Sequence, residues 1–245
     1  MKKSFIAAFF LFMSLHLFAQ KVGFWFDTGL KAGAGLSLLQ NNNIFSDRDY
    51  EMFLSTGYSL GGKVGIFYGY NHGINIDAMY THGSQKYEFV HGENKNANHK
   101  ISWSTTDVAL LYRMQKASVY VELGPQMSFV NGVTQTIQAD NQPTDLKKYF
   151  NEQLPSAVFG VGGYVFSTGT FTLMFGMRAI YGLTDMISNE GKSANYPNPL
   201  GTKVPYETYA ETHPLQLLFM FEANYGIGYF AKTTCSDRMT FFRFN

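Results

Sequence analysis

Few residue patterns in this chain could carry chemistry, and each makes a structural demand of its own. His82-Gly83-Ser84 sets an imidazole and a hydroxyl two residues apart, so on a strand both share a face and the first could take a proton from the second. Such a base also needs an orienting carboxylate; Ser102, Ser104 and Thr106 on the next strand supply none, and Glu88 comes into register only toward the loop. Gly57-Tyr58-Ser59-Leu60-Gly61 has the spelling of a nucleophile elbow, but an elbow needs a strand, a sharp turn and a helix, and here the motif opens a strand. Gly160-Val161-Gly162-Gly163 lies within a strand with no helix after it, so it is no dinucleotide loop. The histidines His72, His82, His91, His99 and His213 are scattered over turns and loops without metal-ligand spacing. The chain is therefore expected to hold no cofactor, no metal and no catalytic set.

A stronger pattern is a set of charges at one parity: Asp27, Lys31, Lys63, Asp77, Asp107, Arg113, Glu122, Arg178 and Glu222, five acids against four bases. Eight stretches that alternate apolar and polar residues position them, at about 23–39, 57–70, 74–90, 101–115, 118–138, 156–167, 170–187 and 214–231. The last shows the period of two best, with Leu215, Leu217, Phe219, Phe221, Ala223, Tyr225, Ile227 and Tyr229 on one face. Asn71-His72-Gly73, Lys116-Ala117 and Thr168-Gly169 are tight turns, whereas 40–56, 91–100, 139–155 and 188–213 are long loops. Short and long connections in alternation predict an all-β fold, an eight-stranded antiparallel up-and-down transmembrane β-barrel with periplasmic turns and outer loops.

Outward positions such as Leu30, Leu36, Leu60, Val64, Ile76, Leu110 and Phe175 would face lipid. Phe24, Phe26, Tyr68, Tyr112 and Tyr229 toward one rim, and Tyr58, Tyr80, Phe129 and Tyr181 toward the other, read as interfacial girdles. Six of the seven prolines lie in or bound the long loops; Pro125, inside a strand beside Gly124, predicts a bulge or bend. Eight strands enclose a space just wide enough for side chains, so the nine inward charges predict a salt-bridge network that fills the barrel. The alternative is a narrow pore or a polar ligand site.

Lys2 and Lys3, an apolar run from Phe5 to Phe18, and Ala19 before Gln20 predict a secretory leader over 1–19. The barrel then occupies 20–231, with a periplasmic tail over 232–245. The single cysteine, Cys235, lies in that tail and cannot form an intramolecular disulfide. Charged residues make up 15% of the chain and the formal net charge is +1, with no basic stripe, which excludes an electrostatically driven nucleic-acid binder. Mean hydropathy is -0.13, because alternating strands hide their apolar face from averages.

The loops carry apolar residues that need a cover. Loop 40–56 contains Ile44, Phe45, Tyr50, Met52, Phe53 and Leu54, which either pack on other loops or present a protein-binding patch. Leu146, Tyr149, Phe150 and Leu154 recur at near-helical spacing between Pro143 and Pro155, predicting a short amphipathic helix over the mouth. Phe45, Tyr50, Phe53, Tyr149 and Phe150 are the candidates for a partner surface, though a lid and a partner surface look alike at this level. In the tail, Met239, Phe241, Phe242 and Phe244 either fold back on the barrel base or dock a neighbour.

The Ala19-Gln20 leader end, the Tyr- and Gly-rich strands and the chain length resemble small eight-stranded outer-membrane barrels of the OmpX/OmpW kind, and more closely the PorT-like "outer membrane protein β-barrel domain" family. Asn224, Gly226, Tyr229 and Phe230 also resemble the terminal signal read by the barrel-assembly machinery. The resemblance implies the Gram-negative outer membrane, contact with lipopolysaccharide and phospholipid, periplasmic termini, and a structural or accessory role in a secretion or barrel-assembly complex. It brings no catalytic residues. A loop-mediated ligand-binding or adhesin-like barrel is the alternative. A third reading rests on His82 and Ser84, which resemble the lipid-facing pair of outer-membrane lipid A deacylases.

Overall fold

The computed structural model describes residues 23–69, 71–89, 98–116, 118–137, 143–168, 170–196 and 208–230. The expected leader, His91, and the tail with Cys235 lie outside them. Among the described residues ten strands form in chain order: β1 Phe24–Gln40, β2 Tyr50–Phe53, β3 Ser55–Tyr68, β4 His72–Phe89, β5 Asn98–Lys116, β6 Val119–Ile137, β7 Pro143–Asp145, β8 Gln153–Ser167, β9 Phe171–Gly182 and β10 His213–Phe230. Two short helices, α1 Asn42–Ser46 and α2 Asn189–Ser193, sit in the loops. Eight long strands pair antiparallel in the order β4-β3-β1-β10-β9-β8-β6-β5, and a β4–β5 ladder closes the ring. Closure leaves no long strand without neighbours on both sides, which is what lets a sheet cross a bilayer with its backbone satisfied.

Alternation fixes which side chains face which way. Leu30 is 72% exposed and its neighbour Lys31 is 1% exposed; Val64 is 55% exposed beside Lys63 at 3%. With apolar side chains outside and charged ones inside, this is a transmembrane barrel, inverted relative to a water-soluble one. Among the described residues no helix is long and apolar enough to cross a membrane.

Several boundaries differ from the sequence expectation, each for a local reason. β3 ends at Tyr68 and β4 already begins at His72, so His72-Gly73 belongs to the strand and not to the turn; Gly69 takes φ +62° and its carbonyl accepts from Trp25 Nε1 at 2.9 Å. β9 stops at Gly182 instead of running to 187; Met186 and Ile187 instead turn inward and are buried. The expected bulge at Pro125 is absent. The β6–β8 ladder runs through Pro125↔Ala157 without a break, and on the β5 side the pairing lapses only between Ala109↔Gln126 and Tyr112↔Leu123, in unchanged register. Losing one N–H thus interrupts one ladder locally without inserting a residue. The β5–β6 register shift comes instead at Ser104/Thr105.

The expected amphipathic helix over the third loop is also absent. Pro143–Asp145 adds to the edge of β6 as β7, and a single 3-10 turn follows at Lys147–Tyr149. Its apolar side chains are nonetheless used as a helix would use them: Leu146, Phe150 and Leu154 are all buried.

Candidate functional site

The interior is layered. Along β5 the inward side chains read Arg113, Leu111, Ala109, Asp107, Thr105, Trp103 and Ile101, and along β10 Glu222, Met220, Leu218 and Gln216. The turn-side layer is ionic. Arg113 Nη1 and Nη2 donate to the two Glu222 carboxylate oxygens at 3.0 and 2.7 Å, while its Nε and Nη2 donate to Glu122 Oε2 at 3.1 and 2.6 Å. Its guanidinium lies 4.1 Å from the Tyr120 ring centre. Arg178 bridges Asp77 at 2.8 Å and Glu122 at 2.5 Å, and Lys31 bridges Asp77 at 2.7 Å and Glu222 at 3.2 Å. Lys63 pairs with Asp27 at 2.8 Å and Glu222 at 3.5 Å.

Eight of the nine inward charges therefore meet in one dry network. Its geometry is what buried charge requires, since each ion carries a desolvation penalty that only close, multiple partners offset. Asp107 is the exception, and grouping it with the network needs correction. It is buried on the same face, but the Thr81 hydroxyl donates to its Oδ2 at 2.5 Å, and among the described residues no cation lies within salt-bridge distance. Two pleats along β5 separate it from Arg113.

Above the ions, Met79, Ala109, Leu111, Val158, Ile180, Leu218 and Met220 form an apolar layer. Nearer the mouth a larger apolar plug gathers Leu39, Tyr87, Ile101, Trp103, Val130, Val133 and Leu154 from the strands with Ile44, Leu146, Phe150, Met186 and Ile187 from the loops. The sequence carried a signal for this plug: inward parity in the upper halves of β1 and β5 changes from charged and glycine to Leu39, Ile101 and Trp103. Of the candidate partner residues, Phe150 is 3% exposed inside the plug and is thus no accessible surface, because the third loop turns its apolar side inward. Tyr149 stacks on Tyr196 at 4.7 Å, half-buried at the plug's edge. Phe45 and Phe53 are exposed, as is Leu54 next to them; the Tyr50 side chain lies outside what is described.

A second loop device was not foreseen. Asp185 Oδ1 accepts from the Ile187 and Thr212 amides, both at 3.0 Å, and Oδ2 accepts from Tyr209 Oη at 2.7 Å and pairs with Lys192 at 3.0 Å. Burial pushes this carboxyl up, but the donors from Tyr209, Thr212, Ile187 and Lys192 outweigh it and hold it below its ordinary value. Burial and the Asp185 hydrogen bond push the Tyr209 phenol up. Asn41 ties the first loop to the same strip, donating to the Ala210 carbonyl at 2.8 Å and to Thr212 Oγ1 at 2.9 Å.

His82 and Ser84 do not form a proton-transfer pair. Ser84 is buried and its hydroxyl donates to the Thr56 carbonyl at 3.0 Å, while the His82 ring stacks on Tyr58 at 5.3 Å. The intervening glycine has a packing role: a Cβ on Gly83 would sit 2.5 Å from the Trp103 ring. Ser59, the serine of the elbow-like motif, faces inward and shares a hydrogen bond with Thr81 at 2.9 Å. Gly160 abuts the Glu122 side chain, so the glycine-rich run makes room for the ion network. Among the described residues no group of His, Cys, Asp and Glu could hold a metal ion by the usual clustering.

Solved structures similar to this chain include Neisserial surface protein A (13% identity, 80% of this chain, 95% of that one, TM-score 0.40). The attachment invasion locus protein Ail of Yersinia pestis, solved with the heparin analogue sucrose octasulfate, is 10% identical over 82% of this chain and 98% of its own, TM-score 0.37. The outer membrane protein OprG of Pseudomonas aeruginosa is 13% identical over 83% of this chain and 95% of its own, TM-score 0.34. No family profile and no curated protein matches this chain. The eight-stranded transmembrane ring itself is established by its own strand pairing.

Proposed function

We propose that this chain is a non-enzymatic integral outer-membrane barrel that acts through its surfaces, as a structural or accessory subunit of a secretion or assembly complex. The observation that carries this reading is the filled interior. Ions, an apolar layer and a loop-sealed plug occupy successive levels, so transport through the lumen has no path and function falls to the outside. The lipid-facing belt supports an outer-membrane position with lipopolysaccharide and phospholipid around it, and with the short turns and both chain termini in the periplasm. Phe45, Phe53 and Leu54, which the plug leaves uncovered, are the docking candidates. In this role the chain would be a PorT-like barrel.

The test is a mild-detergent pull-down of tagged protein from outer membranes, with mass spectrometry of what stays bound. Stoichiometric secretion or assembly components, lost in a Phe53→Ser, Leu54→Ser variant, support the reading. A barrel recovered alone overturns it in favour of loop-mediated ligand binding. That second reading is favoured by the Tyr149–Tyr196 stack, over which the Lys148 ammonium lies 4.6 Å from the Tyr149 ring.

A further inference from the structure

We propose that Asp107 and the small chamber beside it form a binding site for a single monovalent cation of the size of sodium. The charge count points there first. Asp27, Asp77, Glu122 and Glu222 share Lys31, Lys63, Arg113 and Arg178 among them. The four bases are thereby engaged, and among the described inward carboxylates Asp107 is the one without a cation at salt-bridge distance, Arg178 acting on it only from further off. It is 2% exposed, and inside a membrane barrel bulk water cannot supply the missing charge.

Its carboxylate is satisfied on one side and faces the chamber's edge with the other. Oδ2 accepts from Thr81 Oγ1, itself hydrogen-bonded to Ser59 Oγ at 2.9 Å, and a donor of this kind bonds most strongly to an ionised acceptor. The Thr105 and Ser128 hydroxyls also lie within hydrogen-bonding reach of the carboxylate, but among the described residues none completes a bond to Oδ1. Asp107 lines an internal cavity of about 20 Å³, together with Thr105, Gln126, Ser128, Ser156 and Gln216. That volume admits one water-sized particle. Gln126 Nε2 donates to Ser128 Oγ at 3.0 Å, which leaves the Gln126 amide oxygen as an acceptor. One carboxylate, hydroxyl oxygens and amide oxygens are hard ligands suited to an alkali cation. With a single carboxylate at the site, a monovalent ion balances the interior, whereas a divalent one would leave a buried positive charge.

Two measurements on the full chain, folded into detergent micelles, test this. Crystals grown in thallium(I), an anomalous scatterer of similar chemistry, are expected to show one interior peak against Asp107 Oδ1, absent in Asp107→Asn. The midpoint of heat-dependent gel-shift unfolding is expected to rise saturably with sodium chloride but not with N-methylglucamine chloride at equal ionic strength. Asp107→Asn should abolish the difference, and Gln216→Leu, which keeps the charge and removes a donor, should move half-saturation to several-fold higher sodium. No interior peak, equal midpoints in the two salts, or a sodium effect that survives in Asp107→Asn overturns the proposal. The same holds if stability is indifferent to sodium yet falls as pH rises in wild type alone, because the site then holds a proton instead.

Discussion

Arg113→Met removes the best-connected charge in the barrel while keeping most of its volume. Arg113 is wholly buried and serves both Glu122 and Glu222. Taking one partner from a buried ion pair costs about 3–5 kcal/mol. Here neither acid becomes an isolated charge, since Glu222 keeps Lys31 at 3.2 Å and Lys63 at 3.5 Å and Glu122 keeps Arg178, so the lower end, about 3 kcal/mol, applies. Loss of the guanidinium over Tyr120 adds about 1 kcal/mol, for an expected loss of about 4 kcal/mol. Urea unfolding in lipid vesicles, followed by the chain's two tryptophans, Trp25 near the turns and Trp103 in the plug, measures it at both ends of the barrel. Adding Glu222→Gln should return part of the loss, because the second change removes the charge the first left underpaired. A single-variant loss below about 1 kcal/mol, the range of solvent-exposed pairs, would refute a dry network and imply that water reaches the lumen.

Other outcomes follow from the upper barrel. Because the Asp185 carboxyl titrates below its ordinary value in the folded state, its stabilisation is present above the unfolded value near 3.9 and is lost as pH falls through the folded one. Pepsin should therefore begin to cut within 183–196 and 208–212 only below about pH 4, and Tyr209→Phe should raise that threshold. Gly83→Ala pushes on the Trp103 ring and is expected to cost about 1–3 kcal/mol in the same unfolding assay; an unchanged midpoint would mean that the plug is loosely packed. In planar bilayers wild type should not conduct. Lys63→Ala and Glu222→Ala should not either, because the apolar layers remain above the altered ions; steady channels would mean that the upper barrel is not sealed. Lipid A from cells expressing His82→Ala or Ser84→Ala should match that from wild type, as fits a serine hydroxyl held by a backbone carbonyl.

The strands, their alternation and the turn-and-loop rhythm were legible in the sequence, because a period of two in a membrane barrel is imposed residue by residue by lipid on one side and packing on the other. Leu30 beside Lys31 or Val64 beside Lys63 needs no partner to be assigned a face. What parity cannot supply is height and pairing. Asp107 and Arg113 share a face of β5, yet only the stagger of the ring decides that Arg113 meets Glu222, more than a hundred residues away, while Asp107 looks into a separate chamber. The same limit governed Phe150 and Asp185: local spacing suggested a helix for one and a strand for the other. Their burial depends on long-range contacts, among them Phe150 with Ile187 and Asp185 with Thr212, that exist only once the barrel has closed and brought its loops over one mouth.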